Sequence, residues 1–131
     1  MIEAPLRVLV VDDTPEIRTM LRLMLDRHGM EVVEWTPGVD AVELTRAERP
    51  DAVILDWGLP VESGLSVCRR LKSDHELKDI PVLMFTGLSD TRDRHAARQA
   101  GADAFLTKGV DGEQVARKVG EVVAGQRSSP R

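Results

Sequence analysis

Val8-Leu9-Val10-Val11-Asp12-Asp13 is the stretch on which the fold of this chain turns. Four aliphatic residues in a row, three of them β-branched, suit a strand covered on both faces, as the strands of parallel sheets are. The run stops at two carboxylates. The same grammar recurs three times further on. Val53-Ile54-Leu55 stops at Asp56, Val82-Leu83-Met84-Phe85 at Thr86, and Ala104-Phe105-Leu106-Thr107 at Lys108. If these strands are parallel, three carboxylates, a hydroxyl and an ammonium gather along one carboxyl edge. That edge is where open parallel sheets bind their ligands.

Between the apolar runs the spacing switches from strand to helix. After a first strand at about Leu6 to Val11, a helix is expected from about Thr14 to His28. Asp13 and Glu16 form a capping-box pattern at its start, and Pro15 is tolerated in a first turn. Ile17, Met20, Leu21, Met24 and Leu25 share one face, and Gly29 suits the stop. A second strand, about Glu31 to Thr36, precedes Pro37-Gly38 and a helix to about Glu48; Pro50-Asp51 then breaks the chain. A third helix, about Gly64 to Lys72, turns Leu65, Cys68 and Leu71 inward, and Ser73 to Pro81 reads as a polar connection. The fourth helix, about Asp90 to Ala100, has mainly Ala96, Ala97 and Ala100 to bury and is the weakest. The last, about Asp111 to Ala124, aligns Val115, Val119, Val122 and Val123. Five strand–helix units with right-handed crossovers give a doubly wound α/β domain, a parallel sheet with helices on both faces. The domain is expected to span residues 1–125, with 126–131 as a polar tail.

Composition agrees and excludes other classes. A chain of 131 residues, 42% hydrophobic and 31% charged, is one ordinary globular domain. No apolar stretch approaches a membrane span, and Met1 to Pro5 lacks the pattern of an export signal. The single cysteine, Cys68, falls on an apolar helix position and fits a reducing cytoplasm. A net charge of −4, with acids and bases interspersed, leaves no electrostatic footprint for nucleic acid.

Three carboxylates at one sheet edge repel each other unless a cation or protons relieve them. Ligands that are all oxygen point to Mg²⁺, which keeps waters and is completed by phosphate oxygens. A carboxylate is also a nucleophile toward phosphorus, forming an aspartyl-phosphate. Mg²⁺, the Lys108 ammonium and the Thr86 hydroxyl would each offer one contact to a phosphoryl group, whose transfer needs positioning and charge neutralisation above all.

Taken together, Val10-Val11-Asp12-Asp13, Leu55-Asp56-Trp57-Gly58-Leu59-Pro60, Phe85-Thr86-Gly87 and the run from Gly101 to Lys108 resemble a two-component response-regulator receiver domain, of the chemotaxis-type single-domain kind. The resemblance covers about Leu6 to Ala124. It implies the flavodoxin-like strand order 2-1-3-4-5. It implies that Asp56 accepts a phosphoryl group from a sensor histidine kinase or a phosphotransfer protein. Asp13 would ligate Mg²⁺ directly, Asp12 mainly through water, and the Gly58 carbonyl would be a further ligand. Thr86 would be the switch hydroxyl, Lys108 the cation that binds phosphate, and Phe105 the aromatic that follows Thr86. The protein would catalyse its own phosphoryl transfer and a slow dephosphorylation, because Gly58 and Leu88 carry nothing to orient a water. Output is expected through protein contacts on the face of the fourth helix, fifth strand and fifth helix, where Arg92, Arg94 and Arg98 stand, with the chain a monomer or weak homodimer.

Three positions depart from the family pattern. Gly109 replaces the usual proline after Lys108, so a trans bond is expected there. Gly87 replaces a small alanine, and Phe105 a commoner tyrosine. One alternative is a receiver module that works with a DNA-binding output domain, which Trp57 beside the acceptor favours. Another, a haloacid-dehalogenase-type phosphatase, wants a second acid where Gly58 stands. A P-loop nucleotide site lacks its glycine-lysine motif.

Overall fold

The computed structural model describes residues 4–87 and 91–128; of Thr91, Arg92 and Ser128 only the backbone is described. Five strands, β1 (Arg7–Val11), β2 (Glu31–Glu34), β3 (Ala52–Asp56), β4 (Val82–Thr86) and β5 (Ala104–Thr107), form one parallel sheet in the order β2-β1-β3-β4-β5. They alternate with α1 (Pro15–Asp26), α2 (Ala41–Glu48), α3 (Gly64–Ser73), α4 (Thr91–Gln99) and α5 (Gly112–Ser128). The flavodoxin-like order expected from the motifs is the order found.

Side chains alternate across the sheet, and each face has its own helices. Val8, Val10, Ile54, Leu83 and Phe85 pack with Leu21 and Leu25 of α1 and Val115, Val119 and Val123 of α5. Leu9, Val11, Val53, Leu55 and Met84 pack with Val42 of α2, Cys68 and Leu71 of α3, and Ala97 of α4. β1, β3 and β4 are buried on both sides, which is why their sequences are unbroken apolar runs. Of the polar connection between α3 and β4, Leu77 is nonetheless fully buried.

Several boundaries differ from expectation. Asp13 is not the cap of α1. Thr14 is, without a side-chain hydrogen bond, because Asp12 Oδ1 takes the Thr14 N–H at 2.9 Å and turns the chain there. Gly29 does end the helix region, with φ of +76°. β2 closes at Glu34, although the Trp35 N–H still pairs with the Val10 carbonyl. α5 does not stop at Ala124 but continues to Ser128, and Arg127 in this added turn meets Asp51 at 2.7 Å. All peptide bonds of the described residues are trans, including Lys108–Gly109. The expectations for Leu88 and the Arg92 side chain lie outside the described residues. No helix among the described residues is long and apolar enough to cross a membrane.

Candidate functional site

Strand register builds the site. Val11 of β1 pairs with Leu55 of β3, Asp56 with Phe85 of β4, and Thr86 with Thr107 of β5. Residues at or just past these pairs therefore share one edge: Asp12 and Asp13 after β1, Asp56 ending β3, Thr86 ending β4 and Lys108 after β5. One carboxylate oxygen from each of Asp12, Asp13 and Asp56 lies within 4.8 Å of the others. The Lys108 ammonium stands 3.1 Å from Asp56 Oδ1 and 3.3 Å from Asp12 Oδ2. The Lys108 N–H donates to the Thr86 carbonyl at 2.7 Å, so the loop after β5 hangs from the end of β4. Thr86 itself is buried.

The acids are not equivalent. Asp12 and Asp56 are buried, whereas Asp13 is exposed at the mouth of the cluster. Burial raises the pKa of Asp56, and the nearby Asp12 charge adds to the rise; Lys108 and the Gly58 N–H, which donates to Asp56 Oδ1 at 3.4 Å, pull it back only in part. Burial alone would lower the pKa of Lys108, but its hydrogen bond to Asp56 and the charges of Asp12 and Asp56 outweigh it and raise the value. Asp12 Oδ2 is buried and accepts no hydrogen bond, even with the ammonium 3.3 Å away. An under-satisfied carboxylate oxygen aimed into an all-oxygen cluster fits a hard divalent cation.

Three contacts carry no signal in the sequence. Arg18, one turn into α1, donates from Nη1 to the main-chain oxygen of Asp12 at 2.6 Å. Trp57, beside Asp56, meets Phe105 edge to face with centroids 6.2 Å apart, and the Arg94 guanidinium lies 5.2 Å from the centroid of the same Phe105 ring. The rings thus link the loop after β3 to β5 and α4. Among the described residues, the acids and Lys108 meet as expected, with Thr86 on the adjoining strand end and Phe105 set back along β5.

Residues 8–120 match the profile of the response regulator receiver domain, and the chain belongs to that family. It is 37% identical over 119 residues to the protein PilH of Pseudomonas aeruginosa, covering 91% of this chain and 98% of PilH. It is 36% identical over 113 residues to RpaA of Synechocystis, a DNA-binding dual master transcriptional regulator, covering 86% of this chain but only 47% of RpaA. The receiver domain of a Pseudomonas aeruginosa sensor histidine kinase, solved with a magnesium ion coordinated in its active-site cleft, superposes with a TM-score of 0.83 at 27% identity, covering 92% of this chain and 99% of that one. The chain is therefore a two-component receiver domain.

Proposed function

We propose that Asp56 is the phosphoacceptor of a signalling switch. The observation that carries this reading is the placement of the Lys108 ammonium between the Asp56 and Asp12 carboxylates, 3.1 and 3.3 Å away. An Asp56 oxygen attacks the phosphorus of a phosphohistidine on a sensor kinase or phosphotransfer protein. The P–O bond forms as the P–N bond breaks, and the leaving imidazole keeps the bonding pair and takes a proton from solvent. The carboxylates of Asp12, Asp13 and Asp56, with the Gly58 carbonyl, would hold Mg²⁺, which when bound neutralises charge on the phosphoryl oxygens. Lys108 binds the phosphate and orients it, and the Thr86 hydroxyl closes onto it. Gly87 leaves open space where an alanine methyl would stand, so access to the acceptor is wide.

Output runs from Thr86 and Phe105 to the face of α4, β5 and α5. Between α4 and β5 a cavity of about 160 Å³ is lined by Arg94, Arg98, Asp103 and Phe105. The Asp103 carboxylate is engaged by Lys72 at 2.7 Å and by the Val82 N–H, so the two guanidiniums set the charge of this pocket. An acidic segment of a downstream protein suits it. Such a switch works in the cytoplasm, where Cys68 stays a buried thiol with its pKa pushed up to about 11 by burial. A second reading, output through a DNA-binding domain, is favoured by the likeness to RpaA, of whose length this chain matches 47%.

Treatment with a small phosphodonor and Mg²⁺ is expected to add the mass of one phosphate. Asp56→Asn is expected to abolish it; a phosphate gain that survives the substitution overturns the assignment.

A further inference from the structure

Asp12 is held by hydrogen bonds at two of its oxygens and faces a cation with the third. Oδ1 takes the Thr14 N–H at 2.9 Å, Oδ2 faces the Lys108 ammonium at 3.3 Å, and the main-chain oxygen takes Arg18 Nη1 at 2.6 Å. The first two belong to the turn and to the site already described. The third reaches back from α1 to the last residue before the turn.

Arg18 is itself built in. Its Nε stands 3.6 Å from Glu34 Oε1 at the end of β2, and Arg22 holds the other Glu34 oxygen at 2.8 Å. The Arg18 side chain is 13% exposed, while the other ion-paired arginines described are 32% exposed or more. A planar guanidinium can hold a carbonyl and a carboxylate at once from its fixed fork, which a lysine cannot do with one rotatable point charge. Removing a bound arginine would leave the Asp12 carbonyl without its donor at a position that sets where the carboxylate points.

We infer that Arg18 is a positioning residue for the divalent cation: clamped between Glu34 and the Asp12 carbonyl, it fixes the backbone from which Asp12 presents its under-satisfied oxygen. The inference rests on the metal reading of the carboxylate cluster proposed above. Arg18 itself is not a ligand.

The test is the Mg²⁺ dissociation constant of the full chain, measured by calorimetry without any phosphodonor, alongside the urea midpoint of each variant. Groups that orient metal ligands characteristically cost 10-fold or more in affinity when removed, so Arg18→Met is expected to weaken Mg²⁺ binding by about 10-fold. Arg18→Lys, which keeps the charge and loses the fork, is expected to recover only part of that loss. Arg22→Met, which loses the same Glu34 partner without touching Asp12, is expected to bind Mg²⁺ as the unsubstituted chain does. Should Arg18→Met lower the urea midpoint severely, Glu34→Gln carries the test, with a loss of about 3-fold expected because the clamp on Arg18 is halved. Unchanged Mg²⁺ binding in Arg18→Met, or in Glu34→Gln where that variant decides, overturns the inference and leaves the metal reading standing. Full recovery in Arg18→Lys also overturns it, since charge alone would then suffice. Failure of the unsubstituted chain to bind Mg²⁺ overturns both.

Discussion

Asp56 occupies a place that disfavours its own charge. Burial and the neighbouring Asp12 carboxylate hold its pKa above the ordinary carboxylate value, and Lys108 offsets this only in part. In the unfolded chain the same proton leaves at lower pH. As pH rises between those two values the unfolded state binds fewer protons than the folded one, so stability falls. Lys108 works the other way. Its folded pKa is raised, so its stabilising contribution is fully present below the ordinary lysine range and is lost only as pH climbs through the raised value. At neutral pH the ammonium is thus in place while Asp56 carries an unfavourable charge. Without metal, Asp56→Asn is expected to have a higher urea midpoint than the unsubstituted protein at pH 7. The gap should shrink as pH drops below the carboxylate range; an Asp56→Asn variant less stable at pH 7 contradicts this account. A cation that relieves this repulsion would bind where the chain is least satisfied and would stabilise the fold by mass action.

At the scale of elements, the start of α3 is pressed against the end of β3. A Cβ on Gly64 would collide with the Asp56 carbonyl and stand 2.9 Å from Trp57 Cα, both of them backbone atoms that cannot swing aside. The Gly64 N–H also donates to the Trp57 carbonyl at 2.9 Å, so the helix is tied to the loop that follows Asp56. Gly64→Ala is therefore expected to cost about 1–3 kcal/mol, as overpacking does, and to slow phosphate uptake by displacing Asp56. Thermal unfolding and a phosphorylation time course check the two effects. Ser63 caps this helix from its side chain to the Ser66 N–H at 3.1 Å, so its start has little freedom to retreat. A midpoint unchanged by the added methyl would show that the loop can yield.

Over the whole molecule the two helices that contact β5 from opposite faces of the sheet, α4 and α5, are held unequally. α5 buries Val115, Ala116, Val119 and Val123, while the described residues of α4 fully bury only Ala97, with Ala100 just beyond. At about 25 cal/mol per Å² of apolar surface, such small side chains anchor a helix far less than a valine stripe. Weakly held elements are the ones that switches move. The aromatic contact from Trp57 to Phe105, with Arg94 over the ring, joins the residue after Asp56 to that helix. Hydrogen exchange with Mg²⁺ and beryllofluoride as phosphate mimic is expected to change protection over residues 91–107 and to leave α2 as it was. Changes confined to α1 and α2 would place the output elsewhere. By contrast the Arg127–Asp51 pair at the far end of α5 is a half-exposed bridge and contributes little.

How much of this was legible beforehand follows from range. The four apolar runs ending in Asp12, Asp56, Thr86 and Lys108 announce buried strands and the polar groups at their ends, because burial on both faces leaves no alternation to blur the signal. The motifs around them carry the family and its strand order. Helix starts are less secure: the capping-box pattern puts the cap at Asp13, but the Thr14 N–H donates to Asp12 Oδ1 and the cap falls at Thr14. The expected end of α5 at Ala124 falls short because the residues beyond it read as a polar tail, while the tertiary partner of Arg127 lies 76 residues away at Asp51. Arg18 on the Asp12 carbonyl, Trp57 against Phe105 and the lodging of Gly64 beneath Asp56 follow no local pattern of propensity or period. Such contacts depend on which elements the folded sheet brings side by side, so three-dimensional packing alone assigned them.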